Sequence, residues 1–132
     1  MIVLDTHAWV WWVSDPSQLS AAAVETLDRV VAEGGPVYVS SISAWEVAML
    51  AQRGRLQLSL DVEDWIAHSE SAPMIEFVPV TNHLAVRSVT LPGTLHGDSA
   101  DRLIVATARY LGVPLVTRDH KLREYAHVET IW

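Results

Sequence analysis

The sequence predicts an α/β fold in which helices cover both faces of a central parallel sheet. Short apolar runs that suit buried strands alternate with stretches whose apolar residues recur at the helical period. This alternation is typical of parallel strands joined by right-handed crossover helices. At 132 residues, 50% of them hydrophobic, the chain has the length of one domain. A domain of this length buries roughly two-thirds of its unfolded surface.

Five short apolar segments are predicted to be strands. They cover residues 1–4, 37–39, 74–80, 114–117 and 127–131, the last as an edge strand. Apolar runs of this length, bounded by Gly, Pro or polar residues, are typical of strands in a buried sheet. The alternating leucines at positions 56, 58 and 60 form a shorter pattern, which we interpret as an extended connector.

The stretches between these strands are predicted to be helices. Asp15-Pro16 ends a tryptophan-rich helix at residues 6–13, since the residue before a proline disfavours the helical conformation. The others are a Ser20-capped helix ending before Gly34, a helix that follows a turn at 40–43 and ends at Gly54, residues 62–71, a short Thr81-capped helix, residues 99–111 ended by Gly112, and residues 119–125.

The composition limits the function. The formal net charge of −7 argues against a nonspecific polyanion binder, although a metal bound at an acidic site reverses the local sign. The absence of cysteine excludes disulfides and zinc–thiolate sites, and is compatible with a reducing cytoplasm. The apolar N-terminus has no basic region or cleavage site of a signal peptide. No apolar run approaches the roughly 20 residues that span a bilayer, so no membrane association is expected.

Acidic residues fall at the predicted strand–helix junctions. Asp5 ends the first strand, Glu46 lies on the helix after the second, and Asp119 follows the strand at 114–117. Asp98 and Asp101 lie three residues apart at a helix start, which places them on one helical face. Because sites in open parallel sheets lie at the carboxyl ends of the strands, we expect these acids to converge. Carboxylate oxygens suit Mg²⁺ or Mn²⁺, and such an ion can activate water for attack on a phosphodiester.

Most of these acids also have a purely structural interpretation. Ser43-Ala44-Trp45-Glu46 fits a capping box in which Glu46 reaches back to the Ser43 amide. Asp5 has no evident capping role, because it ends a buried strand. The other acids fit helix caps or first-turn positions favoured by the helix dipole: Asp98, Asp101 and Asp119.

Polar residues beside the acids have open roles. Thr6 and Thr117 can orient carboxylates or water, or can cap the adjacent helices. Arg102 adjoins Asp101 and is expected to form an ion pair within the carboxylate cluster, whereas phosphate recognition stays open for Arg118. Three histidines near the expected cavity are interpreted as polar neighbours or surface residues rather than metal ligands: His7, His96 and His120.

Three tryptophans lie in the first predicted helix, at Trp9, Trp11 and Trp12. Core and surface packing is the favoured interpretation. Stacking of these indoles on nucleic-acid bases is the alternative.

Four segments, in this order, resemble the PIN-domain nucleases, and in particular the VapC-like toxins of type II toxin–antitoxin pairs. They read LDTHAWVWW, VSSISAWEVAML, LPGTLHGDSADRLIVATA and LVTRDHKL, and they span nearly the whole chain. The resemblance implies a single PIN-like nuclease domain over residues 1–132, with a three-layer α/β/α sandwich around a central parallel sheet of four to five strands. It also implies a cytoplasmic endoribonuclease that depends on Mg²⁺ or Mn²⁺.

The resemblance also implies roles for individual residues. The family's catalytic, metal-binding acids fall on Asp5, Glu46, Asp98, Asp101 and Asp119. Within that set the general family acid matches Asp101, and Asp98 matches an extra acid of the subgroup. Thr117 matches a frequent hydroxyl of the last motif. Ser99 stands where proline is common, which alters the start of the helix slightly and leaves the acids in place.

The resemblance implies three partners: an RNA substrate, a small antitoxin protein and a second copy of the chain in a homodimer. Trp9, Trp11 and Trp12 are candidates for such interfaces.

Two other functions stay open. A non-catalytic PIN-fold interaction domain would be favoured by the loss of an acid, and none is lost. An aspartyl-phosphate phosphatase is less well supported. His7 stands where a second acid is expected two residues after Asp5, and Lys121 is the only lysine.

Overall fold

A computed structural model of the protein describes residues 1–132 and contains a five-stranded parallel sheet. The strands are β1 (Ile2–Leu4), β2 (Val37–Ser40), β3 (Ile75–Val78), β4 (Leu115–Val116) and β5 (Thr130–Ile131). Their spatial order is β3-β2-β1-β4-β5, and every neighbouring pair is parallel. The chain adds strands first on one side of β1 and then on the other, so the strand order reverses at β1. In such sheets the crevice at this reversal is the usual ligand site.

Seven helices connect the strands: α1 (Thr6–Ser14), α2 (Ala21–Ala32), α3 (Ser41–Gln52), α4 (Val62–Glu70), α5 (Asn82–Val89), α6 (Ser99–Leu111) and α7 (His120–Glu124). Helix α6 has the predicted bounds, because Asp98 caps its start and Gly112 ends it with a left-handed φ of 67°. A 3₁₀ turn at Pro16–Gln18, after the predicted break at Asp15, was not predicted. None of the helices has both the length and the apolar character needed to cross a membrane.

The two faces of the sheet carry separate apolar cores. Along β1, Ile2 and Leu4 belong to one core, with Trp9 of α1, whereas Val3 belongs to the other, with Ile104 of α6. Successive side chains of a strand point to opposite faces, so a strand that is apolar throughout is buried on both sides. Helices therefore cover both faces, and the predicted three-layer α/β/α sandwich is confirmed.

The later strands are shorter than predicted. The sheet ladder ends at Val78, since the following Pro79 has no amide hydrogen to donate. Strand β4 has only two residues, yet its flanks still bond across the sheet. The Val3 amide donates to the Pro114 carbonyl at 2.9 Å, and the Thr117 amide donates to the Ile131 carbonyl at 3.2 Å. The edge strand begins at residue 130, because residues 126 and 127 form a turn.

Trp9 is the centre of the core on the α1 side. Its side chain is fully buried, with ring centroids 4.7 Å from Trp65 and 5.4 Å from Phe77. Its indole N–H donates to Ser69 Oγ at 3.2 Å, so its polar atom is satisfied as well. The packing interpretation is thus confirmed for Trp9. Its suggested role in an interface is wrong, because no part of it reaches the surface.

Candidate active site

A cavity of about 630 Å³ lies where the carboxyl ends of β1, β2 and β4 meet. All five predicted acids line this cavity. Its full lining consists of Asp5, Thr6, His7, Trp11, Glu46, Asp98, Asp101, Arg118, Asp119, His120 and Lys121. A second cavity, of about 330 Å³ against α5 and α6, is lined by no acidic side chain.

Asp5 is the most buried of the acids, with 8% of its surface exposed. It caps α1: Oδ1 accepts a hydrogen bond from the Ala8 amide at 2.8 Å. The expectation that Asp5 has no capping role is therefore wrong. Oδ2 accepts a hydrogen bond from the Thr117 hydroxyl. Burial raises the pKa of Asp5 from its ordinary value of 3.8 to about 6; the two hydrogen bonds oppose this rise, and the negative charge of Asp101 adds to it.

Thr117 joins two of the acidic segments. Its side chain is fully buried between the end of β4 and the start of α1. The hydroxyl donates to Asp5 Oδ2 and accepts a hydrogen bond from the Asp119 amide at 3.0 Å. One hydroxyl thus orients a carboxylate and also braces the turn that carries Asp119.

Glu46 is oriented by Thr6. The Thr6 hydroxyl lies 2.8 Å from Ser43 Oγ and also contacts Glu46 Oε1. A hydroxyl has one proton and an ionised carboxylate only accepts, so Thr6 donates to Glu46 and accepts from Ser43. The capping-box interpretation is wrong, because the cap of α3 is Ser40, whose side chain accepts from the Ile42 amide at 3.2 Å. Glu46 lies in the second turn of α3 and points its half-buried side chain at the cavity.

Asp98 and Asp101 begin α6 and have different surroundings. Asp98 is exposed and caps the helix, with Oδ1 accepting from the Asp101 amide at 2.9 Å. Asp101 is partly buried, and its Oδ2 lies 2.8 Å from His96 Nε2. Burial raises the pKa of Asp101; the His96 hydrogen bond lowers it, and the charges of Asp98 and Asp119 raise it further. Because Asp5, Asp98 and Asp119 all interact with its charge, Asp101 lies at the electrostatic centre of the acids.

Asp119 caps α7, with Oδ1 accepting from the amides of Lys121 at 2.8 Å and Leu122 at 3.4 Å. Its Oδ2 accepts no hydrogen bond within the chain, and neither does Oδ2 of Asp98. In these two residues the helix start fixes one carboxylate oxygen, and the other stays available to a ligand.

The expectation that Arg102 forms an ion pair within the carboxylate cluster is wrong. The guanidinium donates to four backbone carbonyls instead, at distances from 2.8 to 3.3 Å: Ser88, Val89, Leu95 and His96. Arg102 thereby fastens the loop before α6 to the end of α5. Two basic residues, Arg118 and Lys121, line the cavity against the five carboxylates.

The sequence matches the model of the PIN domain over residues 2–128. This chain belongs to the PIN-domain family. Its 37% identity to Ribonuclease VapC22 of Mycobacterium tuberculosis (strain ATCC 25618 / H37Rv), covering 99% of this chain and 98% of that protein, places it in the VapC group of the family. The resemblance recognised in the sequence is therefore confirmed.

Solved structures share the fold of this PIN domain. VapBC2 from Rickettsia felis, bound to a DNA fragment from its promoter, superposes with a TM-score of 0.68 at 18% identity, covering 98% of this chain and 97% of that chain. A toxin–antitoxin complex from Klebsiella pneumoniae superposes with a TM-score of 0.63 at 18% identity, covering 97% and 95%. At this identity the comparison supports the fold alone.

The cavity of this PIN domain fits a hard divalent cation by its donor chemistry. In the present arrangement no three Asp, Glu or His side chains converge closely enough to enclose a metal ion. Mg²⁺ does not require such an enclosure, because it commonly binds one or two carboxylates, several waters and a substrate phosphate. A cation could bind the free Oδ2 atoms of Asp98 and Asp119. It would also offset the mutual repulsion of the Asp5 and Asp101 carboxylates.

Ser43 and Trp11 were named in the sequence but were not assigned to the acidic site. Ser43 contacts Thr6 inside the protein, and its position three residues before Glu46 on one helix face was the available signal. Trp11 lines the cavity and packs against His7, with ring centroids 5.6 Å apart. Their separation by four residues places both on the same face of α1, the helix that Asp5 begins.

Proposed function

We propose that this PIN domain is an endoribonuclease that depends on Mg²⁺ or Mn²⁺ and acts as the toxin of a toxin–antitoxin pair. The observation that carries the proposal is the cavity, into which β1, α3, α6 and the segment after β4 all bring carboxylates. The VapC relative at 37% identity, which is named a ribonuclease, supports RNA as the substrate. The proposed place of action is the cytoplasm, where RNA is available.

Asp5 and Asp101 are the proposed inner metal ligands. They are the two acids whose pKa values are raised, by burial first and by neighbouring negative charges in addition. A divalent cation between them would replace that repulsion with attraction. Glu46, Asp98 and Asp119 complete the proposed ligand set from the rim of the cavity.

The bound ion would supply two effects: a lowered pKa for the attacking water and positive charge beside the phosphate. The protein's own groups hold the carboxylates in place for this chemistry. Thr117 and the Ala8 amide fix both oxygens of Asp5, and Thr6 fixes one oxygen of Glu46. In the proposed hydrolysis the water oxygen bonds to phosphorus, the bond to the leaving sugar oxygen breaks, and that oxygen gains a proton. No side chain serves as nucleophile.

The test is cleavage of total cellular RNA by the purified protein with Mg²⁺, with Mn²⁺ and with EDTA. The Asp5→Asn variant keeps a capping oxygen for α1 but lacks the charge, so we expect it to lose metal-dependent cleavage. Ser20→Ala is the matched control, because it removes the side-chain cap of α2 and does not touch the cavity. Cleavage that persists in EDTA, or in Asp5→Asn at the rate of the unmodified protein, would contradict the proposal.

One observation favours the alternative of a non-catalytic interaction domain, namely that no three potential metal ligands converge. The absence of Mg²⁺ or Mn²⁺ binding in calorimetry, together with the absence of cleavage of every RNA tested, would support that alternative. Nothing favours the phosphatase. His7 occupies the position of the second acid, and Lys121 is the only lysine.

We also propose an antitoxin partner and a homodimer. A solved structure of the same fold is a toxin–antitoxin complex. On the surface, α5 and α6 pack together and expose Val86 (62%), Val89 (75%) and Tyr110 (62%). We assign this apolar face to contact with a second copy of the chain. Light scattering should then give the mass of a dimer, and Val89→Asp should give that of a monomer; a monomeric unmodified protein would contradict the assignment.

A further inference from the structure

Arg118 is a charged side chain at the cavity that forms no hydrogen bond or ion pair within the protein. It follows β4 directly, is exposed, and lines the cavity beside the carboxylates. The structure contains no ion pair of Arg118 and no hydrogen bond from its guanidinium. All five N–H donors of the guanidinium are therefore free to bind a ligand.

Trp11 holds this guanidinium in place. The Arg118 Cζ atom lies 5.8 Å from the centroid of the Trp11 ring, within the range of a cation–π interaction. The indole is itself braced by His7 at 5.6 Å and by Trp132 at 5.8 Å between ring centroids. Trp11 is also the only apolar residue in the lining of the cavity. An arginine supported on a fixed aromatic ring loses less rotamer freedom when it binds a ligand than a freely moving one.

A positively charged side chain at this position would offset part of the negative charge that an RNA phosphate meets at the cavity. The chain has a net charge of −7, and five carboxylates line the cavity. Two other arginines, Arg102 and Arg109 of α6, are already engaged, since they donate to backbone carbonyls. Arg118 and Lys121 are the basic side chains of the lining, and both lie on the segment that follows β4. An incoming phosphate therefore meets positive charge on one side of the cavity only.

We propose that Arg118, supported by Trp11, forms a subsite for one unpaired nucleotide of the RNA next to the carboxylates. This inference rests on the proposed function and deepens it by assigning the residues that contact the nucleotide beside the cleaved bond. The edge of the guanidinium binds a phosphate through paired N–H donors, and its open face stacks on the base. Trp11 is a positioning residue, because it acts on the RNA through Arg118.

The experiment compares KM and kcat for a short single-stranded RNA oligonucleotide and for the same sequence in a duplex. Arg118→Ala should raise KM for the single strand about tenfold or more, as expected for loss of a charge-assisted hydrogen-bonded pair, and should change kcat little. Arg118→Lys should restore only part of the loss, because an ammonium lacks the planar fork. Trp11→Ala should raise KM in the same direction, and Trp11→Phe should stay near the unmodified protein.

The matched control is Arg123→Ala, which removes the same charge from an exposed position of α7 without touching the cavity. Equal effects of Arg118→Ala and Arg123→Ala would overturn the subsite, as would a loss in kcat alone or an equal loss on duplex RNA. Cleavage by the unmodified protein in those cases would leave the proposed nuclease function intact.

Fluorescence anisotropy of the labelled oligonucleotide separates the remaining outcomes. Binding that depends on Arg118 in a protein that never cleaves would support the subsite and contradict the nuclease function. Failure of the unmodified protein both to bind and to cleave RNA would overturn both proposals.

Discussion

Ionisation of Asp5 should make the metal-free protein less stable as the pH rises. Its carboxyl is 8% exposed, and burial raises its pKa from 3.8 to about 6. At about 1.4 kcal/mol per pKa unit, this shift corresponds to roughly 3 kcal/mol by which folding disfavours the charged form. The stabilising contribution of the proton is fully present below pH 3.8 and is lost as the pH rises through about 6.

The Asp5→Asn variant removes this dependence, because an amide does not ionise in this range. The free energy of unfolding of the unmodified protein, minus that of Asp5→Asn, should fall by roughly 2 kcal/mol between about pH 4.5 and about pH 7.5. Urea denaturation in EDTA at fixed ionic strength measures both proteins at both pH values. The pH dependence is the informative quantity. The altered contact with Thr117 adds a constant difference, since that hydroxyl then faces an amide.

Ser20→Ala provides the control for this measurement. It should cost about 1 kcal/mol at either pH, since it removes the side-chain cap of α2 without removing a titrating group. If the difference between the unmodified protein and Asp5→Asn is the same at both pH values, Asp5 is ionised throughout the range. The burial argument for its role in the cavity would then be refuted.

Three further predictions concern the other acids and the metal. The affinity for Mn²⁺, measured by calorimetry, should fall as the pH drops below about 6, because protons compete with the metal for Asp5. Asp5→Asn should make this affinity less dependent on pH. A pH-independent affinity in the unmodified protein would contradict the prediction. His96→Ala should raise the pKa of Asp101 further, since the His96 hydrogen bond lowers it. The acidic limb of the pH–rate profile should then move to higher pH. His83→Ala, which lies outside the acidic cavity, should leave the pH–rate profile unchanged. Asp119→Ala should lower the free energy of unfolding by about 1 kcal/mol through loss of the α7 cap. Asp119→Asn should leave the free energy of unfolding nearly unchanged, because an amide oxygen still caps the helix. If urea denaturation gives the same loss for both variants, the effect does not come from the cap.

The fold was largely predictable because burial leaves a strong pattern in this chain. Strand β1 is apolar at every position and feeds two cores, and α6 has a polar start, an apolar face and a terminal glycine. Strand lengths were less predictable, since pairing depends on neighbours that are distant in the sequence. Pro114 and Thr117 show this, because they bond across the sheet and yet lie outside β4.

The convergence of the acids on one cavity was predictable, but their hydrogen-bond partners were not. Adjacency in the sequence suggested a pair between Asp101 and Arg102, yet consecutive residues of a helix point about 100° apart. Arg102 accordingly turns to the carbonyls of the preceding loop. A turn was expected at residues 40–43, but α3 begins at Ser41, directly after β2. That shift moved Ser43 from a capping position into the helix, where it contacts Thr6.

Capping and a role in the cavity are compatible in this protein, although the sequence presents them as alternatives. Asp5, Asp98 and Asp119 each use one oxygen to cap a helix, and all three line the same cavity. A cap stabilises a negative charge through amide hydrogen bonds and the helix dipole, so it offsets part of the repulsion among the acids. The exposed acids Asp98 and Asp119 are also solvated.

Asp5 and Asp101 lie deeper, and burial raises their pKa values in spite of their hydrogen bonds. Caps and solvent therefore offset much of the negative charge of these acids. The imbalance that remains is concentrated at Asp5 and Asp101. If a cation binds, its largest effect on the free energy of unfolding should come through that pair, which is the reason for assigning the inner ligands to them.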